Sequence, residues 1–120
     1  MTNKHKFGQF ISEKRIQRSM TLKELANKMD ISDSYLCQLE KGERLNPSIN
    51  VLERLIINLG LDRDEQWTFY DLYALVNDTI SPDIEMYIKE NAIIIKVLRT
   101  ALQNNVNEAE WQDIIDRLNK

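Results

Sequence analysis

The sequence predicts an all-α protein, on three observations. Only three Gly and two Pro punctuate 120 residues, so turn signals are sparse and the elements between them are long. Alternating runs of β-branched residues, the pattern of half-buried strands, are scarce. Finally, Thr21 with Glu24, Asp62 with Glu65 and Asn107 with Glu110 each set a capping side chain three residues ahead of a Glu, with apolar residues at helical spacing behind them. A hydrophobic content of 42% allows one compact domain or two small ones of about sixty residues.

In chain order, the start to Lys6 carries Lys4, His5 and Lys6 and reads either as a solvated tail or as a basic arm toward phosphates. A first helix over about Phe7 to Arg18 places Phe7, Phe10 and Ile11 beside Lys14 and Arg15, so that it covers the helix pair after it. That pair is Met20 to Gly42, MTLKELANKMDISDSYLCQLEKG, which reads as helix, tight turn, helix. Thr21 caps the first of these with Glu24, and Met20 and Leu25 form the hydrophobic staple. Leu22, Leu25, Ala26 and Met29 make one face. After Asp30 and Ile31, Ser32 caps a second helix from Asp33 to about Lys41, with Leu36 and Leu39 inward and Gly42 as its left-handed stop. Two helices joined by three or four residues, with small Ala26 at their close approach, match a helix-turn-helix unit.

Residues 7 to about 60 resemble the phage-repressor (Cro/repressor, or XRE-type) helix-turn-helix family. KRIQRSMTLKELANKM, SYLCQLEKGERLNPS and VLERLIINLGL carry the resemblance, over roughly half the chain. Asp30 departs from the family's usual turn Gly, and Asp tolerates a left-handed backbone better than most residues. The resemblance implies a lambda-repressor-like five-helix DNA-binding domain followed by two or three C-terminal amphipathic helices. It also implies a structural ion pair between Arg15 and Glu40, in which loss of one partner would cost about 3–5 kcal/mol.

By the same resemblance Asp33, Ser34 and Gln38 occupy base-reading positions, and Ser32 one that meets the sugar-phosphate backbone. The Gln38 amide can donate to adenine N7 and accept from adenine N6, a match worth about 1–3 kcal/mol of discrimination. Asp33 can accept from cytosine N4, or it can simply favour the start of its helix through the dipole. Thr21, Lys23, Tyr35, Lys41, Arg44 and Asn46 complete a set facing the DNA backbone, with the free N–H groups opening the Thr21 helix. Cys37 reads as an inert small residue rather than a redox switch, since no second Cys can resolve it.

Ser48 caps a fourth helix with Val51, Leu52, Leu55, Ile56 and Leu59 on a broad apolar face ending at Gly60. A domain boundary is expected here, with residues 1–61 the DNA-binding domain and 62–120 a helical extension for dimerisation or partner binding. The helix after Asp62 carries Trp67, Phe69, Tyr70, Leu72, Tyr73, Leu75 and Val76, too many apolar residues for one stripe. Its aromatics, with Tyr87, read as core or interface, or as the lining of a small pocket. Ser81 and Pro82 open a helix with Ile84, Tyr87 and Ile88. The chain then bends or continues near Asn91 into AIIIKVLRTAL, and a last helix carries Trp111, Ile114, Ile115 and Leu118. Trp67, Tyr70, Tyr73, Trp111 and Ile115 are the expected dimer or partner interface.

Residues 1–60 hold ten Lys/Arg against seven Asp/Glu, while residues 61–120 hold six against twelve. The net charge of -3 thus hides a basic half suited to a polyanion and an acidic half that is not. One His and one Cys, with no Gly-rich phosphate loop and no nucleophile beside a base, point away from an enzyme, a disulfide, a multi-Cys zinc site or any cofactor. No apolar run reaches a membrane span and the polar start is no signal peptide, so a cytoplasmic protein is expected. These readings converge on a homodimeric repressor of transcription that binds double-stranded DNA at an inverted repeat, with half-sites about 34–36 Å apart. The alternative is an antitoxin or accessory regulator whose C-terminal helices clamp a protein partner, and a ligand-gated sensor is a third reading.

Overall fold

The computed structural model describes residues 3–120. Among them it forms α1 (Lys4–Gln17), α2 (Leu22–Met29), α3 (Asp33–Glu40), α4 (Ile49–Leu59), α5 (Arg63–Asn77), α6 (Pro82–Glu90), α7 (Ile93–Gln103) and α8 (Glu108–Leu118), with no strand. The described helices are the five plus three that the sequence suggests. None is long and apolar enough to cross a membrane.

The chain divides into two compact units, Met1–Asp83 and Ile84–Lys120, rather than at the boundary expected after Leu61. The first unit runs on because α5 is part of its core. Phe69 is fully buried, its ring 5.1 Å from that of Phe7, and Tyr73 meets Phe7 edge-on at 5.6 Å. Around this aromatic centre α1 packs on α3, α4 and α5, and α2 packs on α3 and α4. Ile11, Leu25, Met29, Leu36, Leu39, Leu52 and Leu55 fill the interior. Burying a side chain of this size contributes roughly 1.5–3 kcal/mol.

The helix ends share one device. The residue after the last turn takes a left-handed backbone at Ser19, Asp30, Gly42, Gly60, Asp78 and Asn105, and the next N–H turns back to a carbonyl five residues earlier: Met20 to Arg15, Ile31 to Ala26, Glu43 to Gln38, Leu61 to Ile56, Thr79 to Ala74 and Val106 to Ala101. This satisfies carbonyls that would otherwise be orphaned and fixes the direction in which the chain leaves. Asp30, at φ 55°, takes the left-handed conformation that its residue type tolerates.

Two features of the first unit lie beyond any local sequence signal. The tail expected to Lys6 is instead helix, since α1 starts at Lys4, with Lys4, His5 and Lys6 exposed on it. His5 Nδ1 donates to the Lys41 carbonyl at 3.0 Å, which holds that start against the end of α3. Three residues on, a Cβ at Gly8 would overlap the carbonyl oxygens of Leu39 and Glu40. The second feature is Glu65, which accepts from Lys14 at 2.8 Å and Arg18 at 3.0 Å while closing the capping box of α5 through the Asp62 N–H. It ties the last turns of α1 to the first turn of α5. Lys14, then the Asp62 N–H and Arg18, hold its carboxyl down at about 2.

In the second unit α7 ends at Asn104 and α8 opens with the Asn107–Glu110 capping box. The chain breaks at Asn91 rather than running on from α6 into α7. None of the three helices α6, α7 and α8 holds a fully buried residue. Ile93, Val97, Ala101, Val106, Trp111 and Ile114 line an apolar groove of about 430 Å³ between α7 and α8.

The α1 contacts can be tested through stability. Gly8→Ala forces α1 off α3 and is expected to cost about 1–3 kcal/mol or more, read by urea denaturation. Glu65 has a folded pKa of about 2, below its unfolded value, so it stabilises the fold at neutral pH and this contribution is lost as pH falls from the ordinary carboxylate range toward 2. Glu65→Gln is therefore expected to be less stable than the wild type above pH 5, with the gap closing on acidification.

Candidate nucleic-acid interface

The α2–α3 unit is built from its caps outward. Thr21 Oγ1 accepts from the Glu24 N–H at 3.1 Å and the Thr21 N–H donates to Glu24 at 2.8 Å. These bonds, the backbone one first, lower the Glu24 pKa. The Leu22 and Lys23 N–H groups then remain as the free donors at the α2 start. Arg54 of α4 donates to the Met29 carbonyl at 2.9 Å and closes the other end of α2. Ser32 Oγ accepts from the Tyr35 N–H at 3.0 Å and opens α3.

Arg15 and Glu40 come together as a fork. Arg15 Nε and Nη2 donate to the two Glu40 oxygens at 2.8 and 2.9 Å, and Nη1 donates to the Met20 carbonyl at 2.9 Å. The arginine thereby joins α1, the α1–α2 turn and the last turn of α3. Its side chain is 13% exposed and that of Glu40 8%, so each charge depends on the other. The hydrogen bond to Glu40 raises the Arg15 pKa.

With Leu36 and Leu39 buried, α3 turns Asp33 and Ser34 fully outward and Gln38 half outward. Lys23 and Lys41 are exposed nearby in sequence, as are Thr21 and Ser32, although the oxygens of the last two are already engaged as caps. Cys37 is a free, partly buried thiol. Tyr35, Arg44, Asn46 and Pro47 line a shallow recess of about 340 Å³ that Glu43 and Leu45 complete.

Gln38 is not free: its Oε1 accepts from Arg44 Nε at 3.0 Å. The loop holding Arg44 is itself held by Asn77, the last residue of α5, whose Nδ2 donates to the Leu45 carbonyl at 2.7 Å. Asn77 and Arg54 shape this surface without standing out from sequence as part of it, and His5, read there as part of a tail or arm, shapes it by bonding the end of α3. Each acts across 25 or more positions, a distance over which no local motif speaks.

The expected interface residues divide differently. Trp67 is 52% exposed with Arg63 over its ring at 5.2 Å, whereas Tyr70 and Tyr73 pack partly against the core. Burial, together with the negative Glu53 and Asp83, raises the Tyr70 pKa. Trp111 is half-buried in the α7–α8 groove and Ile115 is exposed.

Residues 11–66 match the helix-turn-helix family model. Along 109 residues the chain is 24% identical to the HTH-type transcriptional regulator SinR of Bacillus subtilis strain 168, covering 91% of this chain and 88% of that one. The SinR of Bacillus licheniformis is 25% identical over 112 residues, with 91% and 88% covered. Among solved structures, a SinR protein/SinI protein complex aligns over 94% of each chain at 25% identity with a TM-score of 0.49.

A capped helix pair of this geometry, within a matched helix-turn-helix domain, defines a DNA-binding protein. More particularly, the match over residues 11–66 and the SinR relatives support an XRE-type helix-turn-helix transcriptional regulator, with those residues as its helix-turn-helix domain.

The fork gives the prediction for this surface. Glu40→Ala leaves the guanidinium of Arg15 buried without its partner and is expected to cost about 3–5 kcal/mol. Arg15→Lys recovers only part of the stability, since an ammonium cannot make the two-pronged contact. Chemical denaturation of both variants checks the pair.

Proposed function

We propose that this regulator is a cytoplasmic, homodimeric repressor that reads an inverted-repeat operator with α3 in the major groove. Asp33, Ser34 and Gln38 meet base edges, and Thr21, Lys23, Ser32, Tyr35, Lys41, Arg44 and Asn46 the sugar-phosphate backbone. The observation that supports the dimer is the second unit. Ile84–Lys120 is shorter than the roughly forty residues that sustain a core unaided. Its helices also leave Ile93 65%, Leu102 78% and Leu118 79% exposed. Amphipathic helices that bury so little in one chain are stabilised when a second surface covers them.

The surplus of three positive charges in residues 1–60 gives modest affinity for phosphates. Joining two half-site contacts in one dimer raises the affinity without new contacts. Occlusion of polymerase at the operator is the simplest repression available to a chain of this size.

Selection from a random duplex pool is expected to return an inverted repeat with half-sites about 34–36 Å apart. Leu102→Asp combined with Ile115→Asp is expected to give a monomer by light scattering and at least a tenfold loss of operator affinity. A monomeric wild type bound to a single half-site at full affinity overturns the dimer. A wild type that is monomeric and binds DNA only with another protein present favours the partner-clamping alternative, which the acidic second half would serve.

A further inference from the structure

Tyr35 and Gln38 sit three residues apart in α3, hence on one face, and Arg44 reaches both. Arg44 Nε donates to Gln38 Oε1 at 3.0 Å, and the guanidinium lies 5.8 Å from the centre of the Tyr35 ring. The backbone repeats the attachment. The Arg44 N–H meets the Gln38 carbonyl at 3.2 Å and the Glu43 N–H meets the same oxygen at 2.9 Å. Asn77 then fixes the next residue through the Leu45 carbonyl. Arg44 is therefore held near Gln38 by its ring contact, its own N–H and both of its chain neighbours.

This settles which end of the Gln38 amide faces outward. A guanidinium only donates, so the amide oxygen must face it and the amide nitrogen is left for a ligand. Adenine offers one acceptor and one donor in the major groove, and a Gln reads it by donating and accepting together; guanine offers two acceptors, O6 and N7. An oxygen already committed to a cation is a poorer second acceptor, and the same cation polarises the amide so that its N–H groups donate more strongly.

We propose that Arg44 is a specificity-determining positioning residue: it holds Gln38 as a hydrogen-bond donor toward the groove, so that Gln38 reads guanine and not adenine. The proposal rests on the reading of Gln38 as a base-contacting residue of α3. It takes the Nε edge of Arg44 out of the phosphate-contacting set and replaces the adenine pairing that an unconstrained Gln38 favours.

The test is selection of bound duplexes at about 150 mM salt, where non-specific phosphate binding is weakened. It uses the full chain as wild type, Gln38→Ala, Arg44→Ala and Arg44→Lys. Arg44 is exposed, so its variants keep the core. Gln38→Ala locates the base pair by flattening preference at one position of each half-site. There the wild type is expected to favour guanine over adenine by roughly tenfold, the scale of one good base contact. Both Arg44 variants are expected to erase or reverse that preference while leaving the other positions unchanged.

A wild-type preference for any other base at that position overturns the proposal. So does an Arg44→Ala variant that weakens every sequence alike while Arg44→Lys restores binding, the behaviour of a phosphate contact. If Gln38→Ala flattens no position, the base-reading role of Gln38 fails first and the proposal falls with it, a pattern distinct from failure at Arg44 alone.

Discussion

The attitude of α3 depends on the last turn of that helix, where three positions along α1 converge on it. Arg15 forks onto Glu40 and reaches the Met20 carbonyl. Gly8 brings the α1 backbone against the carbonyls of Leu39 and Glu40, and His5 bonds the Lys41 carbonyl. An eight-residue helix is far too short to persist by its own propensity. Clamping its C-terminal turn to a fourteen-residue neighbour lets its first turn project Asp33 and Ser34 with a fixed orientation. The pair at the centre of the clamp need not add net stability over an apolar packing of the same shape. Its effect is directional: with two-pronged geometry, α3 has one register against α1.

The exits from the helices impose a second constraint. Six helix ends leave through a left-handed residue and the same backward N–H bond, but only Gly42 and Gly60 adopt that conformation without a Cβ cost. Ser19, Asp30, Asp78 and Asn105 carry the strain of a side chain there, of order 1 kcal/mol each for an L-residue. After Ser19, Asp30 and Asn105 the following residue is apolar and partly buried (Met20, Ile31, Val106), so the turn delivers a packing contact that offsets the strain, whereas Thr79 after Asp78 is exposed.

These two constraints explain what can be read in the sequence. The capping boxes at Thr21, Asp62 and Asn107, the caps at Ser32 and Ser48 and the stops at Gly42 and Gly60 are local chemistry within three or four residues, and so they are legible. The turn at Asp30 is legible because Asp is one of the few side chains suited to it. Asp78 and Asn105 are residue types equally suited to it, but no recognised helix-turn-helix spacing frames them as it frames Asp30, and Ser19 carries no such signal. The start of α1 is hidden for a related reason. Asn3 makes no side-chain cap, and what holds Lys4 to Lys6 in helix is a contact 36 positions away. A boundary at Leu61 rests on a change of charge and a Gly stop. The core instead continues to Phe69 because burial by aromatic contact is a three-dimensional fact that a count of apolar residues in α5 suggests but does not orient.

Within the site the same division holds. That Asp33, Ser34 and Gln38 face away from the core follows from the inward pair Leu36 and Leu39 and the helical period. What Gln38 can accept or donate does not follow from its identity, because the chemistry of an amide depends on what has already engaged its oxygen. Arg44 is six residues along, in a loop whose path is set by the left-handed Gly42 and by Asn77 at the end of α5. A residue type at a recognition position therefore gives a set of possible bases. The loop behind it narrows that set, and α5, though it carries none of the residues assigned to bases or phosphates, is part of the reading surface through Asn77.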